Sequence, residues 1–203
     1  MTPIELAIAA IASYLCGSIP FGVLIAKAKG VDIMSVGSGN PGATNVWRTL
    51  GPAAGFTVFL TDTLKGAVPA AIVLWLSKDA SFGLVAGILA IIGHTFSPFL
   101  KFKGGKGVAT AFGALVGSAP IIAGIVFAIF ALIVALTRYI SLGSIIAVIS
   151  LVGLGIAFHM PAFVIGAYAV MAVFIVYRHR ENIARLKAGT ERKFSFKKSK
   201  DQS

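Results

Sequence analysis

Gly117-Ser118-Ala119-Pro120 interrupts a run that is otherwise apolar from Val108 to Thr137. The whole run is too long for one simple bilayer crossing, which takes about 20 residues. Read as a break, the four residues leave a short apolar segment, 108–118, and a full-length one, 120–137. Read as part of a single span, they remove one crossing and reverse the side on which everything later in the chain emerges.

Working outward, further apolar segments cover 4–26, 52–77, 81–100, 140–158 and 162–177. The first is interrupted by Gly17-Ser18-Ile19-Pro20-Phe21-Gly22, so a kink or unwound section is expected there. Charge settles the count. With the break, sixteen of the 18 Lys and Arg residues fall on one side: Lys27, Lys29, Arg48, Lys101, Lys103, Lys106, Arg138 and nine from Arg178 onward. Lys78 alone lies opposite, and Lys65 is inside a span. Without the break, the basic tail emerges opposite the basic loops. The positive-inside rule therefore favours seven spans, with the N-terminus outside and the C-terminus in the cytoplasm. Segment 108–118 is the weak member, because eleven residues reach only about 17 Å. It is either tilted into a thinned bilayer or half a span.

Composition agrees. The 203 residues are 57% apolar and 12% charged, with a mean hydropathy of +0.92; soluble domains carry roughly 25% charged residues. The expected fold class is an all-α integral membrane protein, with one transmembrane domain over 1–193 and a basic, disordered tail over 194–203. The N-terminus lacks a basic n-region and an A-x-A site, and Glu5 stands near its start, so it does not read as a cleaved signal peptide. The single cysteine, Cys16, excludes an internal disulfide and a cysteine-based metal site. The net charge of +11 does not point to nucleic acid, because the cations flank apolar spans; an anionic substrate or lipid is the partner it implies.

Three polar clusters fall on the cytoplasmic side of this topology and predict one site built from distant segments. Ser38-Gly39-Asn40-Pro41-Gly42-Ala43-Thr44-Asn45-Val46-Trp47-Arg48 holds glycines, amides, hydroxyls and a guanidinium, which is the inventory of an oxyanion site. Its bland alternative is an interfacial loop with a snorkelling Arg48 and an anchoring Trp47. Lys103-Gly104-Gly105-Lys106-Gly107-Val108-Ala109-Thr110 places three glycines and a cation at the start of an apolar helix, where exposed amides favour an anion. It is not a Walker loop, because Gly107 rather than Ser or Thr follows Lys106, and Leu100 takes the place of the earlier glycine. Over 178–186, helical spacing puts His179 and Asn182 on one face and pairs Glu181 with Arg185; an amphipathic interfacial helix is the alternative. Asp62 and Lys65 are expected to neutralise each other inside a span. His94 reads as a satisfied intramembrane histidine, and His159 is given no role. Gly83/Gly87 and Gly113/Gly117 have the spacing of close helix packing.

These residues carry a resemblance. The runs Ser38 to Arg48, Lys103 to Thr110 and His179-x-x-Asn-Ile-x-Arg-Leu-x-x-Gly-x-Glu191 resemble, in order and spacing, three motifs of the bacterial acyl-phosphate-dependent glycerol-3-phosphate acyltransferases, the PlsY family. Gly17 to Gly22 and Asp62-x-x-Lys-Gly66 are similar as well. The resemblance implies a seven-span enzyme of the bacterial inner membrane. It implies transfer of an acyl group from acyl phosphate to the 1-hydroxyl of glycerol 3-phosphate, without acyl-CoA, acyl-carrier protein, metal or cofactor. Under it, Ser38, Arg48, Lys106, His179 and Asn182 are the expected catalytic residues. Gly39, Asn40, Gly42, Thr44, Asn45, Gly104, Gly105, Gly107, Thr110 and Arg185 are expected to bind substrate. Asp62, Lys65 and Glu191 are expected to support the site structurally, and a monomer is the working expectation. Direct transfer is expected, with acylation of Ser38 as the alternative mechanism. A mixed anhydride has a good leaving group, so a strong enzyme nucleophile is not required. The His-x4-Asp pattern of acyl-CoA-type enzymes is absent: Phe99, Val164 and Ala184 stand five residues after the three histidines. Two rivals fit less well. A transporter for a phosphorylated small molecule would place its clusters at mid-membrane and repeat internally. A CDP-alcohol phosphotransferase would need several intramembrane aspartates, and Asp62 is the one available.

Overall fold

In the computed structural model, which describes residues 1–195, every regular element is helical. The chain divides into two compact units, Met1–Ser118 and Ala119–Ser195, so the Gly-Ser-Ala-Pro break is also the unit boundary. Residues 196–203, the larger part of the expected tail, lie outside the described residues.

The first unit holds α1 (Pro3–Ser18), α2 (Phe21–Lys27), α3 (Ala43–Leu50), α4 (Pro52–Ser77), α5 (Ala80–Thr95) and α6 (Val108–Ser118). Thr2 and Glu5 form a reciprocal cap on α1. The helix stops at Ser18 and the chain resumes at Phe21, which is the interruption expected from Ile19-Pro20. The long central α4 packs against α6, α5, α1 and α3. Its crossing with α6 is tight because glycines face backbone: a Cβ at Gly66 would overlap the Thr110 carbonyl, and one at Gly113 the Thr63 carbonyl. Gly87 meets Ala114 and Gly117 meets Ala67, so small-residue spacing does serve close packing.

The second unit holds α7 (Pro120–Thr137), α8 (Ile140–Ala157), α9 (Ala162–Arg178) and α10 (Arg180–Lys187), packed in sequence order. Pro120 sits at the first position of α7, where its missing N–H costs nothing. An 60° bend separates α9 from α10.

Among the described residues, five segments are long and apolar enough to cross a membrane: Pro3–Lys27, Pro52–Ser77, Ala80–Leu100, Pro120–Thr137 and Ile140–Ala157; the bent α9–α10 pair makes a sixth if it is counted as one span, and α6 is a shorter apolar helix. Exposure is inverted relative to a water-soluble bundle. Leu136, Ile4 and Ile121 are 74%, 72% and 71% exposed, while Asp62 and Lys65 are 2% and 4% exposed. Apolar side chains outside and ions inside are what a lipid solvent selects. The protein is an all-helical, multi-pass membrane protein. The span expected over 81–100, ending near Ser97-Pro98, corresponds to Ala80–Leu100: its α-helix runs to Thr95, Phe96 turns the chain, and a 3-10 turn follows at Pro98–Leu100.

Candidate active site

The first polar stretch folds around Asn45. Ile33 is fully buried beside Ala26, Val46, Ala54 and Val58, and this small core fixes the start of the loop. Asn45, in the first turn of α3 and 3% exposed, then holds the rest. Its Oδ1 accepts from Ser38 N (3.0 Å), and its Nδ2 donates to the carbonyls of Ile33 (3.3 Å) and Val36 (3.0 Å). Gly37 and Gly39 adopt left-handed backbone, at φ 65° and 64°. A Cβ at Gly37 would also strike Asn45 Oδ1. Asn40 Oδ1 accepts from Gly42 N at 2.9 Å and sets the turn into α3. Asn45 through both amide atoms, and Asn40 through its Oδ1, are thus bonded to the loop's own backbone. What the loop presents is Ser38, exposed at its tip, and Thr44 with Arg48, half-buried one helical turn apart on one face of α3. The Ala43 and Thr44 amides open α3 at the same end, while Asn45 N already donates to the Gly42 carbonyl at 3.1 Å.

The glycine-rich loop departs more from expectation. Gly104 N donates to the Thr95 carbonyl (2.9 Å) and Gly105 N to the His94 carbonyl (3.2 Å), closing the C-terminal end of α5. Both amides are therefore bonded to the carbonyl end of α5. Their glycines are required by close approach, since Cβ atoms there would overlap the His94 carbonyl and His94 Nε2. Gly107 takes φ 84° and its carbonyl accepts from Ala111 N at 2.8 Å, starting α6. Thr110, expected to bind substrate, is fully buried where α6 crosses α4. Lys106, half-buried, is the charged group this loop delivers.

Asp62 and Lys65 form the expected intramembrane pair, at 2.8 Å. Lys65 Nζ also donates to the Ile19 carbonyl at the α1–α2 break (2.9 Å). His94 is buried as expected, with Nδ1 3.8 Å from the same Asp62 oxygen.

In the second unit, His179 is not part of α10. It ends α9 at the bend, with φ −97° and ψ 8°, and is 4% exposed. Its Nδ1 lies 2.8 Å from the Ile175 carbonyl. A carbonyl only accepts, so Nδ1 carries the proton of the neutral ring and Nε2 keeps the lone pair. Glu191 gathers the neighbouring residues. Its Oε1 accepts from Ser141 Oγ and Asn182 Nδ2, both at 2.7 Å, and its Oε2 pairs with Arg185 Nε at 2.7 Å. Burial alone would push this carboxyl up; the hydrogen bonds from Ser141, Arg185 and Asn182 outweigh it and hold it below the ordinary range. The expected Glu181–Arg185 surface pair gives way to Arg185–Glu191. The segment after α10 continues back to the start of α8, where Phe194 N donates to the Arg138 carbonyl.

Residues 7–189, running through both units, match the family model for glycerol-3-phosphate acyltransferase. The chain belongs to the glycerol-3-phosphate acyltransferase family. It is 47% identical over 190 residues to a glycerol-3-phosphate acyltransferase of Geobacter sulfurreducens, covering 94% of this chain and 97% of that one. It is 45% identical to a relative of that name from Aquifex aeolicus, over 90% and 95% of the two chains. Two solved structures of the integral membrane acyltransferase PlsY superpose on it. Its glycerol 3-phosphate form gives a TM-score of 0.90 at 43% identity, covering 94% of this chain and 96% of that one. Its lysophosphatidic acid form gives 0.87 at 42%, covering 95% and 96%. In this acyltransferase the first loop brings Ser38, Asn40, Thr44, Asn45 and Arg48 together, and the second unit brings Asn182, Arg185 and Glu191 together. Two contributors escaped sequence reasoning. Ser141 carried no signal beyond its place just after Arg138-Tyr139. His94, read as a satisfied intramembrane histidine, is buried beside Asp62, and its place against the glycine loop was invisible without the α4–α5 register.

Proposed function

We propose that this acyltransferase moves an acyl group from acyl phosphate to the 1-hydroxyl of sn-glycerol 3-phosphate. The products are 1-acyl-glycerol 3-phosphate, a lysophosphatidic acid, and inorganic phosphate; this is the first step of phospholipid synthesis. It works as a seven-span monomer of the bacterial inner membrane, N-terminus outside, with its polar loops facing the cytoplasm. The observation that carries the reading is the match, across nearly the whole chain, to a structure known in both a glycerol 3-phosphate form and a lysophosphatidic acid form.

The chemistry follows from the groups present. The substrate hydroxyl oxygen attacks the acyl carbonyl carbon, and the bond from that carbon to the phosphate oxygen breaks. Ser38, Thr44 and Arg48 hold a phosphate and stabilise charge as it develops, the guanidinium taking two oxygens. Lys106 adds a point charge for the phosphate of glycerol 3-phosphate. His179 Nε2 is the nitrogen able to take the hydroxyl proton, with a substrate phosphate oxygen as the other acceptor. Asn182, fixed by Glu191, orients glycerol 3-phosphate. The test supplies membranes containing the protein with acyl phosphate or acyl-CoA, each with labelled glycerol 3-phosphate. Lysophosphatidic acid should form from acyl phosphate; its formation from acyl-CoA alone, or from neither donor, overturns the reading.

A further inference from the structure

We propose that Asp62, Lys65 and His94 are positioning residues that set the spacing between the two phosphate-binding loops. The inference rests on the reading above, in which the Ser38–Arg48 and Lys103–Thr110 loops each serve a phosphate. The three residues come from two helices, Asp62 and Lys65 from α4 and His94 from α5, and all are at least nine-tenths buried. Two chains of contact leave this cluster, one toward each loop.

The first runs through Lys65. Its Nζ, 2.8 Å from Asp62, donates to the Ile19 carbonyl at 2.9 Å and stands 5.9 Å from the centre of the Phe21 ring. Ile19 caps the end of α1, and its carbonyl accepts from Phe21 N (3.1 Å) as well as from Lys65, so the lysine ties down the break between α1 and α2. One turn of chain later, Gly22 packs against the Pro41 carbonyl so closely that a Cβ would overlap it. Pro41 lies in the first phosphate loop, between Asn40 and the start of α3. The second chain runs through His94. Its Nδ1 is 3.8 Å from the same Asp62 oxygen, and its ring lies against Gly105, where a Cβ would overlap Nε2. Gly105 and Gly104 also hydrogen-bond to the His94 and Thr95 carbonyls, and Lys106 is the next residue. A small pocket lies between the two chains, lined by Ile19, Phe21, Pro41, Lys65, His94 and Gly105 among others. One carboxylate thus stands at the junction of both loop supports.

Simple stability does not account for the arrangement. A buried ion pair loses hydration that a matched apolar pair never had, so such pairs are kept where geometry must be specified. An apolar Leu–Met pair could fill the volume; it could neither hold the Ile19 carbonyl nor face His94.

The experiment compares steady-state kinetics of the purified, membrane-reconstituted full chain with melting temperature for two variants. D62L/K65M removes both charges together and leaves no unpaired ion. His94→Gln leaves the ion pair intact and takes the ring away from Gly105. Each should raise KM for glycerol 3-phosphate at least tenfold with a smaller fall in kcat, because misplaced loops hold its phosphate less well and also stabilise developing charge less well. Should D62L/K65M fail to fold, His94→Gln decides alone. Wild-type KM in a folded variant overturns the inference and leaves the cluster as packing. Loss of kcat at unchanged KM also overturns it, in favour of a direct part in proton transfer. Failure of the functional reading is distinguishable, since the wild-type protein would then not turn over either.

Discussion

Asn45→Ala tests whether the first loop is held by its own asparagine. The substitution removes three hydrogen bonds to loop backbone, from Ser38 N and to the Ile33 and Val36 carbonyls. They are not equal. Ile33 is fully buried, so its carbonyl is left without water, at a cost of about 1–3 kcal/mol. Ser38 is exposed and Val36 half-exposed, so those groups rehydrate and each loses about 0.5–1.5 kcal/mol. The loop should lose roughly 4 kcal/mol of local order, or about three decades in its ordered population at 1.36 kcal/mol per decade. The helix crossings of α4 with α5 and α6 do not use Asn45, so the melting temperature should change by only a few degrees. The assay is amide hydrogen exchange over 33–42 in substrate-free protein, with turnover of glycerol 3-phosphate alongside. Faster exchange together with a fall in kcat/KM of about a hundredfold or more is expected. If substrate-free exchange over 33–42 stays at the wild-type rate while activity falls, Asn45 contacts substrate and the scaffold argument fails.

Gly105→Ala should lower kcat/KM at least tenfold, because His94 is buried and the loop, not the ring, has to move. Gly124→Ala, which meets nothing within 4 Å, should be silent in the same assay. Glu191 carries a pH signature. Its folded pKa is depressed, so its contribution is present above the unfolded carboxylate value of about 4.3 and is lost as pH falls through the folded one. Glu191→Gln should therefore melt below wild type at pH 7, by the equivalent of about 1 kcal/mol after allowing for the 38% exposed Arg185. That gap should close as melting is followed down below about pH 4; a constant gap refutes the charge argument. Wild-type protein given labelled acyl phosphate should retain no covalent acyl group. A label that disappears in Ser38→Ala would establish an acyl-enzyme and overturn direct transfer.

Much of the fold was legible because lipid and backbone chemistry leave few options. Pro52 and Pro120 mark helix starts to the residue, and Asp62 with Lys65 paired as buried opposite charges three residues apart must. The errors share one physical origin: hydropathy records what a segment is made of, not where its hydrogen bonds go. Ser97-Pro98 marks the end of the third span, but the path of the chain through the turn at Phe96 was hidden. With it went the fact that α5 ends within reach of Gly104 and Gly105. Arg185 likewise has Glu181 one turn away in sequence, yet the chain after Gly189 folds back and delivers Glu191, with Ser141 and Asn182 completing the shell.

The polar loops carry a further consequence. Irregular backbone that is buried has to find hydrogen-bond partners within the protein. In the first loop Asn40 and Asn45 supply them; in the second, the carbonyl end of α5 does. A count of polar residues in such a stretch therefore overstates the substrate-binding set, because part of it is the loop's own scaffold. The distinction is readable from the partners. A side chain bonded to two or three backbone groups of its own loop, as Asn45 is, acts through geometry. One that shares a helix face with the amide end, as Thr44 and Arg48 do, is proposed to act on what arrives there. Variants of the first kind should loosen the loop before any substrate is added. Variants of the second kind should leave the empty loop unchanged and fail only when phosphate is offered.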